Sequence, residues 1–444
     1  HPHRLLLQGN RLVGLAMQGT KSLVWVLDVS TPAKPRPLQQ LELQGRLVQE
    51  RGLGGDVLLV LNGPLETPFA YLRRQRKQEG PLDQVFMPCC GGGSFLRQKA
   101  AVRRWARRKL SKAPAATLLP TVRESRRGGR AKHRALLSCS DLHRGTSKIR
   151  SALVTVLRLR LSTGDLRGTA VMGHVRTVYV SSRSVYLAST RTDVVARRYC
   201  GGAPPPPMLW ARFWRQFTEI HRFSIAHGNR VPRYRASAEV RGALLNQFAL
   251  DEHRGHLRVA TTAVQNARQG GRFVSHLYVL RAAGDHLRYV GGVKDLAPGE
   301  RIYAVRYQGD RGYVVTFPTP RRVIRVDPFF TLDLSNPKRP RVTGELKIPG
   351  FSNYLHPAGG HQLLAVGQDA DRRGRVRGVH LQLFDTRDPR RPRRTVHHRL
   401  TRGRGSSASA AQLDHHAFLY DPVTKIVALP LRDHRARWSR RGRA

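Results

Sequence analysis

Residues 329–350, FFTLDLSNPKRPRVTGELKIPG, decide how this chain is read. An alternating strand runs into Asp333, then Ser335, Pro337, Pro340 and Arg341 follow in a short polar stretch, and a second alternating strand closes the segment. An Asp carboxylate accepts local backbone N–H bonds and Pro presets φ at a turn corner, so the segment spells strand, turn, strand. The pattern returns as LVWVLDVSTPAKPRPLQQLELQG at 23–45 and LQLFDTRDPRRPRRTVHHRL at 381–400. The shared core is Asp-x-[Ser/Arg]-x-Pro-x-x-Pro-Arg, built on Asp28, Asp333 and Asp385. Weaker copies without that turn occupy 153–173, 220–242 and 275–293.

A tight hairpin with alternating flanks precedes most of these units, at 5–16, 176–190, 246–262, 301–317, 353–367 and 416–431. Turn centres such as Gly9-Asn10, Gly309-Asp310 and Gly359-Gly360 are the expected hairpin residues. Each period is therefore two hairpins, or four strands. The anchors Phe223, Leu280, Asp333 and Asp385 are spaced by 57, 53 and 52 residues. Four strands at a period near 50 describe a β-propeller blade, whereas a β-sandwich predicts no constant four-strand repeat. The expected fold is all-β: a propeller of about seven to eight four-stranded blades, incomplete at both chain ends.

The expected organisation is propeller hairpins at 1–62, a basic Gly/Pro/Arg-rich insertion at 63–150 that is mostly loop, the remaining blades at 151–431, and a basic tail at 432–444. Within the insertion, residues 100–112 are expected to form a short basic amphipathic helix. The run 197–216 carries four consecutive prolines, a stiff spacer, and its Trp210, Phe213 and Trp214 are expected to cover a blade edge.

The chain holds 79 Lys+Arg against 29 Asp+Glu, a formal charge of +50, and only 12 of the 79 are Lys. Phosphate neutralisation does not demand such an excess of Arg, so coding bias competes with a polyanion surface as its origin. The 38 residues from Arg97 to Arg134 concentrate 14 of these cations beside one acid, Glu124. Four Cys exclude a disulfide scaffold, and no apolar run is long enough to span a membrane. Cys89 and Cys90 are adjacent, and one of them, Cys89 foremost, is expected to pair with Cys139 across the insertion, with free thiols as the alternative; such a bond would contribute roughly 3–5 kcal/mol.

The runs LLNQFALDEHRGHLRVATT, LAPGERIYAVRYQGDRGYVVTF, VDPFFTLDLSNPKRPRVTGELKIPGFSNYLHP, GVHLQLFDTRDPRRP and DHHAFLYDP resemble the secreted bacterial and archaeal proteins with a C-terminal β-propeller domain, a family distantly like WD-repeat propellers. The likeness is dense over 236–431, clear at 1–62 and 153–195, and absent from the insertion. It implies an extracytoplasmic protein, secreted or anchored through a segment outside this chain. It brings no activity, cofactor or catalytic residue. Relatives usually carry an opening blade segment before the position of His1 and closing strands after that of Pro430, neither of which is expected here.

Aligning the hairpins places Gln247, Arg301, Asn353 and Asp414 at the starts of first strands, the strands that line a propeller's channel, and adds His416 as a partner of Asp414. Asp414 with His416 reads first as hydrogen bonding at the channel wall, with an ion as the alternative, and no metal site is expected; His415, adjacent on a strand, would point to the other face. Asp251, Glu252 and His253 read as a polar hairpin tip, and Tyr354 with His356 as a structural pair on one strand face. No GxSxG, HExxH or Walker motif is present.

Three functions follow as expectations. The first is a non-enzymatic binding or scaffold module for a protein or cell-surface partner. The second is an enzyme with a site in the central channel. The third is a binder of polyanions or anionic membrane surfaces through Arg103, Arg104, Trp105, Arg107, Arg108 and Lys109, combining charge with aromatic stacking.

Overall fold

The computed structural model describes residues 4–63, 103–109, 111–112, 119–145, 152–194, 214–225, 231–265, 272–318, 326–371, 376–401 and 407–433. The Asp-Pro segments form the turns that their chemistry demands. Asp28, Asp333 and Asp385 accept the N–H of Ser30, Ser335 and Arg387 at 2.9, 3.0 and 2.9 Å. Three residues further on, each turn closes again through Lys34, Arg339 and Arg391 N–H donating to the carbonyls of Thr31, Asn336 and Asp388. These bonds hold the carboxyls below the usual range. Asp385, bonded first by the Arg387 side chain and then by its backbone, is lowered to about 2.

The strands meander antiparallel in sets of four. Arg4–Gln8, Arg11–Gln18, Lys21–Asp28 and Arg36–Gln44 make the first blade, and Arg46–Leu53, Asp56–Gly63, Leu153–Arg160 and Leu166–Met172 the second. Thr177–Val180, Ser184–Val194, Trp214–Ser224 and Arg233–Arg241 follow. Three further sets are Leu250–His253 to His286–Leu296, Glu300–Gln308 to Arg341–Pro349, and Phe351–Gly359 to Arg393–Arg399. Two-residue turns join the first hairpins. At Arg254-Gly255, φ is +48° and +75°, and His253 pairs with His256. At the 353–367 hairpin the turn centre is Gly360-His361, one residue later than expected, with φ of +54° and +64°.

The chain divides into two compact units, His1–Leu187 with His221–Ser237, and Ala188–Ile220 with Ala238–Ala444. In each, the core lies between successive blades, because the second strand is buried on both faces. In the first unit, Val57, Leu59 and Leu61 pack with Val13, Val24 and Leu41, while Leu58 and Val60 face Val171, Val185 and Phe223. In the second unit, Leu363 and Ala365 join Tyr313, Phe329 and Phe384, while Leu364 and Val366 join Tyr354, Val379 and Phe418. Period-two alternation thus sorts each strand's residues between two interfaces.

Two expectations are corrected. The end of the insertion is strand rather than loop. Thr121–Arg126 pairs with Arg36–Gln44, Lys132–Ala135 pairs with Thr121–Arg126, and Leu142–His143 runs parallel to Leu166–Met172. Leu119, Val122, Leu136 and Leu137 supply the reason, since all four are buried and three of them join the first core. The second correction concerns Asp414, at the C-terminal end. Residues 407–433 form two short ladders, Ser407–Ala408 with Arg432–Asp433 and Leu419–Tyr420 with Val427–Ala428. Asp414 does not begin a strand there; it caps a 3-10 turn, His415–Ala417. Trp214 opens a strand, and 197–213 lie outside the described residues.

Candidate ligand site

All five residues expected at the channel lie in the second unit. Gln247 sits in a 3-10 turn just before the strand Leu250–His253, and its Nε2 lies 3.2 Å from His415 Nε2. Arg301 is the second residue of Glu300–Gln308, exposed, with its guanidinium 5.2 Å from the Phe273 ring centre. Asn353 accepts from Gln412 Nε2 at 2.9 Å, and Gln412 Oε1 accepts from Gln368 Nε2. Asp414 is exposed and accepts the His416 N–H at 3.0 Å, with His416 Nδ1 2.9 Å away. Because the backbone turns here, the His415 and His416 rings lie on one side, centres 3.9 Å apart, contrary to the strand expectation.

Between these positions the first strands bring together a different group. Arg306, on Glu300–Gln308, lies with its guanidinium 4.2 Å from the Phe248 ring centre and 5.6 Å from that of Tyr354. Its Nε donates to the Leu355 carbonyl at 2.9 Å and its Nη2 to the Tyr354 hydroxyl at 3.2 Å. Tyr354 Oη is 3.0 Å from His356 Nδ1. Phe418 and Tyr420 pack on His356, and His415 stands edge-on to Phe248 at 5.1 Å. The arrangement is a guanidinium set among aromatic and imidazole rings.

Among the described residues no carboxylate lies within ion-pair distance of Arg306. The nearby Asp251 is engaged by Arg258, whose Nε donates to it at 2.9 Å. Burial pulls the Arg306 pKa below its usual value, partly offset by Tyr354 and Asp251. Burial likewise raises the Tyr354 hydroxyl, and burial with the Arg306 charge lowers His356, which keeps that imidazole neutral near pH 7. The site therefore offers one desolvated positive charge with no ion pair among the described residues, plus a phenol and neutral imidazole that can hydrogen-bond.

The remaining candidates have other partners. Asp251 pairs with Arg258, and His253 and Arg254 meet Asp310 of the next hairpin at 3.0 and 3.2 Å, so this tip ties two blades together. In the insertion, residues 103–109 are helical; Arg103, Arg104, Arg107 and Arg108 are exposed, and Trp105 and Lys109 are half-buried. Cys139 is exposed, while Cys89 lies outside the described residues.

Four-stranded blades in sequence order, with cores between them, define a β-propeller. The beta propeller domain family matches residues 7–443, and the chain belongs to that family. An uncharacterised protein of Methanocaldococcus jannaschii is 41% identical over 198 residues, covering 45% of this chain and 29% of its own length. An uncharacterised protein of Archaeoglobus fulgidus is 40% identical over 222 residues, covering 49% and 32%. The aligned parts thus span about a third of these relatives. Among solved structures, Synechocystis apocarotenoid oxygenase (Trp149Ala mutant) aligns over 90% of this chain and 72% of its own, at 10% identity and a TM-score of 0.34.

Proposed function

We propose that the chain is a non-enzymatic binding module whose ligand presents an anionic group to Arg306. The carrying observation is the Arg306 guanidinium, 4.2 Å from the Phe248 ring centre, which among the described residues donates to neutral acceptors and forms no ion pair. A desolvated cation gains most from a counter-charge that arrives with a partner, because charge-assisted hydrogen bonds strengthen away from water. Tyr354 and His356 stand beside Arg306 with groups that can orient a carboxylate. Extracytoplasmic placement is part of this proposal and rests on the family resemblance; no described helix is long and apolar enough to cross a membrane.

Malonate, a small dicarboxylate, is a suitable probe. Calorimetric titration of the full chain is expected to show saturable binding that weakens at least tenfold in Arg306→Met. Equal binding by both proteins would refute the proposal. A turnover abolished by Arg301→Ala or Asp414→Ala would instead establish the enzyme alternative.

A further inference from the structure

In the blade built from Phe351–Gly359, Gln362–Ala370, Val376–Asp385 and Arg393–Arg399, the last three strands each contribute one polar side chain to a common point. Asp369 and His380 are buried, and His397 closes the cluster from the outer strand with its side chain about one-third exposed. His397 Nε2 lies 3.3 Å from Asp369 Oδ1, His380 Nδ1 lies 3.3 Å from His397 Nε2, and His380 Nδ1 lies 3.9 Å from Asp369 Oδ1. A circle through three atoms at those separations has a radius of about 2.0 Å, which is the length of a Zn–N or Zn–O bond. Two imidazoles and a carboxylate are also the donor set that borderline first-row cations prefer. We propose that Asp369, His380 and His397 form a binding site for a divalent first-row cation, Zn²⁺ foremost, which staples three strands of this blade.

The surroundings support the assignment. His380 has an ordered outer partner, as metal-bound histidines do. Its Nε2 is 2.8 Å from Gln382 Nε2, and Gln382 Oε1 accepts from Arg394 Nη1 at 3.1 Å. With the amide in this orientation, Gln382 donates to Nε2, and His380 carries its proton on Nδ1, inside the triangle. A cation takes that proton's place. The proton then resides on Nε2, and the Gln382 amide turns over to accept it, releasing Arg394. Arg399 Nη1, 3.9 Å from Asp369 Oδ2, competes for the carboxylate from outside. The site therefore sets one proton and two guanidinium groups against one cation, and Gln382 is its positioning residue.

Gln382→Glu tests this, because a carboxylate accepts from His380 Nε2 and from Arg394 at once and frees Nδ1. Titration of the full chain with Zn²⁺, and with Co²⁺ followed by its visible d–d absorption, is expected to show one site lacking a thiolate charge-transfer band. Gln382→Glu should bind at least tenfold tighter than wild type, and His397→Gln at least tenfold more weakly, with unchanged circular dichroism. No saturable binding in either wild type or Gln382→Glu would overturn the proposal. So would binding lost in His416→Gln but kept in His397→Gln, which would move the ion to the exposed cluster at Asp414, His415 and His416.

Discussion

Gly344, on the outer strand of one blade, lies directly against the carbonyl oxygen of Pro389, in the Asp-Pro turn of the next. A Cβ at residue 344 would stand 2.4 Å from that oxygen and 2.9 Å from the Arg390 carbonyl. Gly291 meets the preceding copy of the turn in the same way: a Cβ there would stand 2.5 Å from the Pro337 carbonyl oxygen. The repeated turn does more than reverse the chain: it seats on the blade before it, and the Thr331 hydroxyl also donates to Pro389. Gly344→Ala is expected to cost about 1–3 kcal/mol, the usual range for forced overpacking. A urea midpoint unchanged by the substitution would mean that the blades do not interlock here.

His221 gives the fold an acid sensitivity. It is 3% exposed, and burial lowers its pKa to about 4. The unfolded chain binds a proton on this side chain below pH ~6.5, and the folded chain does so only below about 4. Stability from this residue is therefore complete above pH ~6.5 and is lost as the pH falls toward 4, amounting to about 2 kcal/mol at pH 5. His221→Phe should flatten the stability curve between pH 7 and 5 by that amount. Parallel curves for the two proteins would show that the imidazole is not held neutral.

The basic helix at 103–109 presents Arg103, Arg104, Arg107 and Arg108 to solvent. If these groups contact a polyanion, replacing all four by Gln should reduce the slope of log affinity against log salt for heparin by about 3–4, near 0.9 per neutralised phosphate for a duplex. An unchanged slope would leave the charge of this segment without a binding role.

The blades were legible because their signals are local. Asp28, Asp333 and Asp385 each bond two residues ahead, and Gly9-Asn10 or Gly309-Asp310 need no distant partner. The strand Thr121–Arg126 was hidden because its apolar positions are few, with Val122 alone between Thr121 and Arg123 buried in the first core. Asp414 was misplaced because a carboxylate ahead of two His caps a 3-10 turn as readily as it opens a strand. Arg306 was invisible for a different reason. In a chain so rich in Arg no single one stands out, and its distinction is burial among Phe248, Tyr354 and His356, which only packing reveals. Asp369, His380 and His397 belong to three strands, and only the register that sets His380 opposite Gly367 and Arg399 brings them together.

The binding proposal rests on Arg306, and thermal unfolding in malonate against chloride at matched ionic strength tests it most directly. Matching the ionic strength cancels general screening of the +50 charge, so what remains is site binding, which raises the midpoint by mass action. Wild type and Arg301→Ala should both show a saturable rise in midpoint with malonate, and Arg306→Met should show none. A rise in Arg306→Met equal to that of wild type would contradict the account.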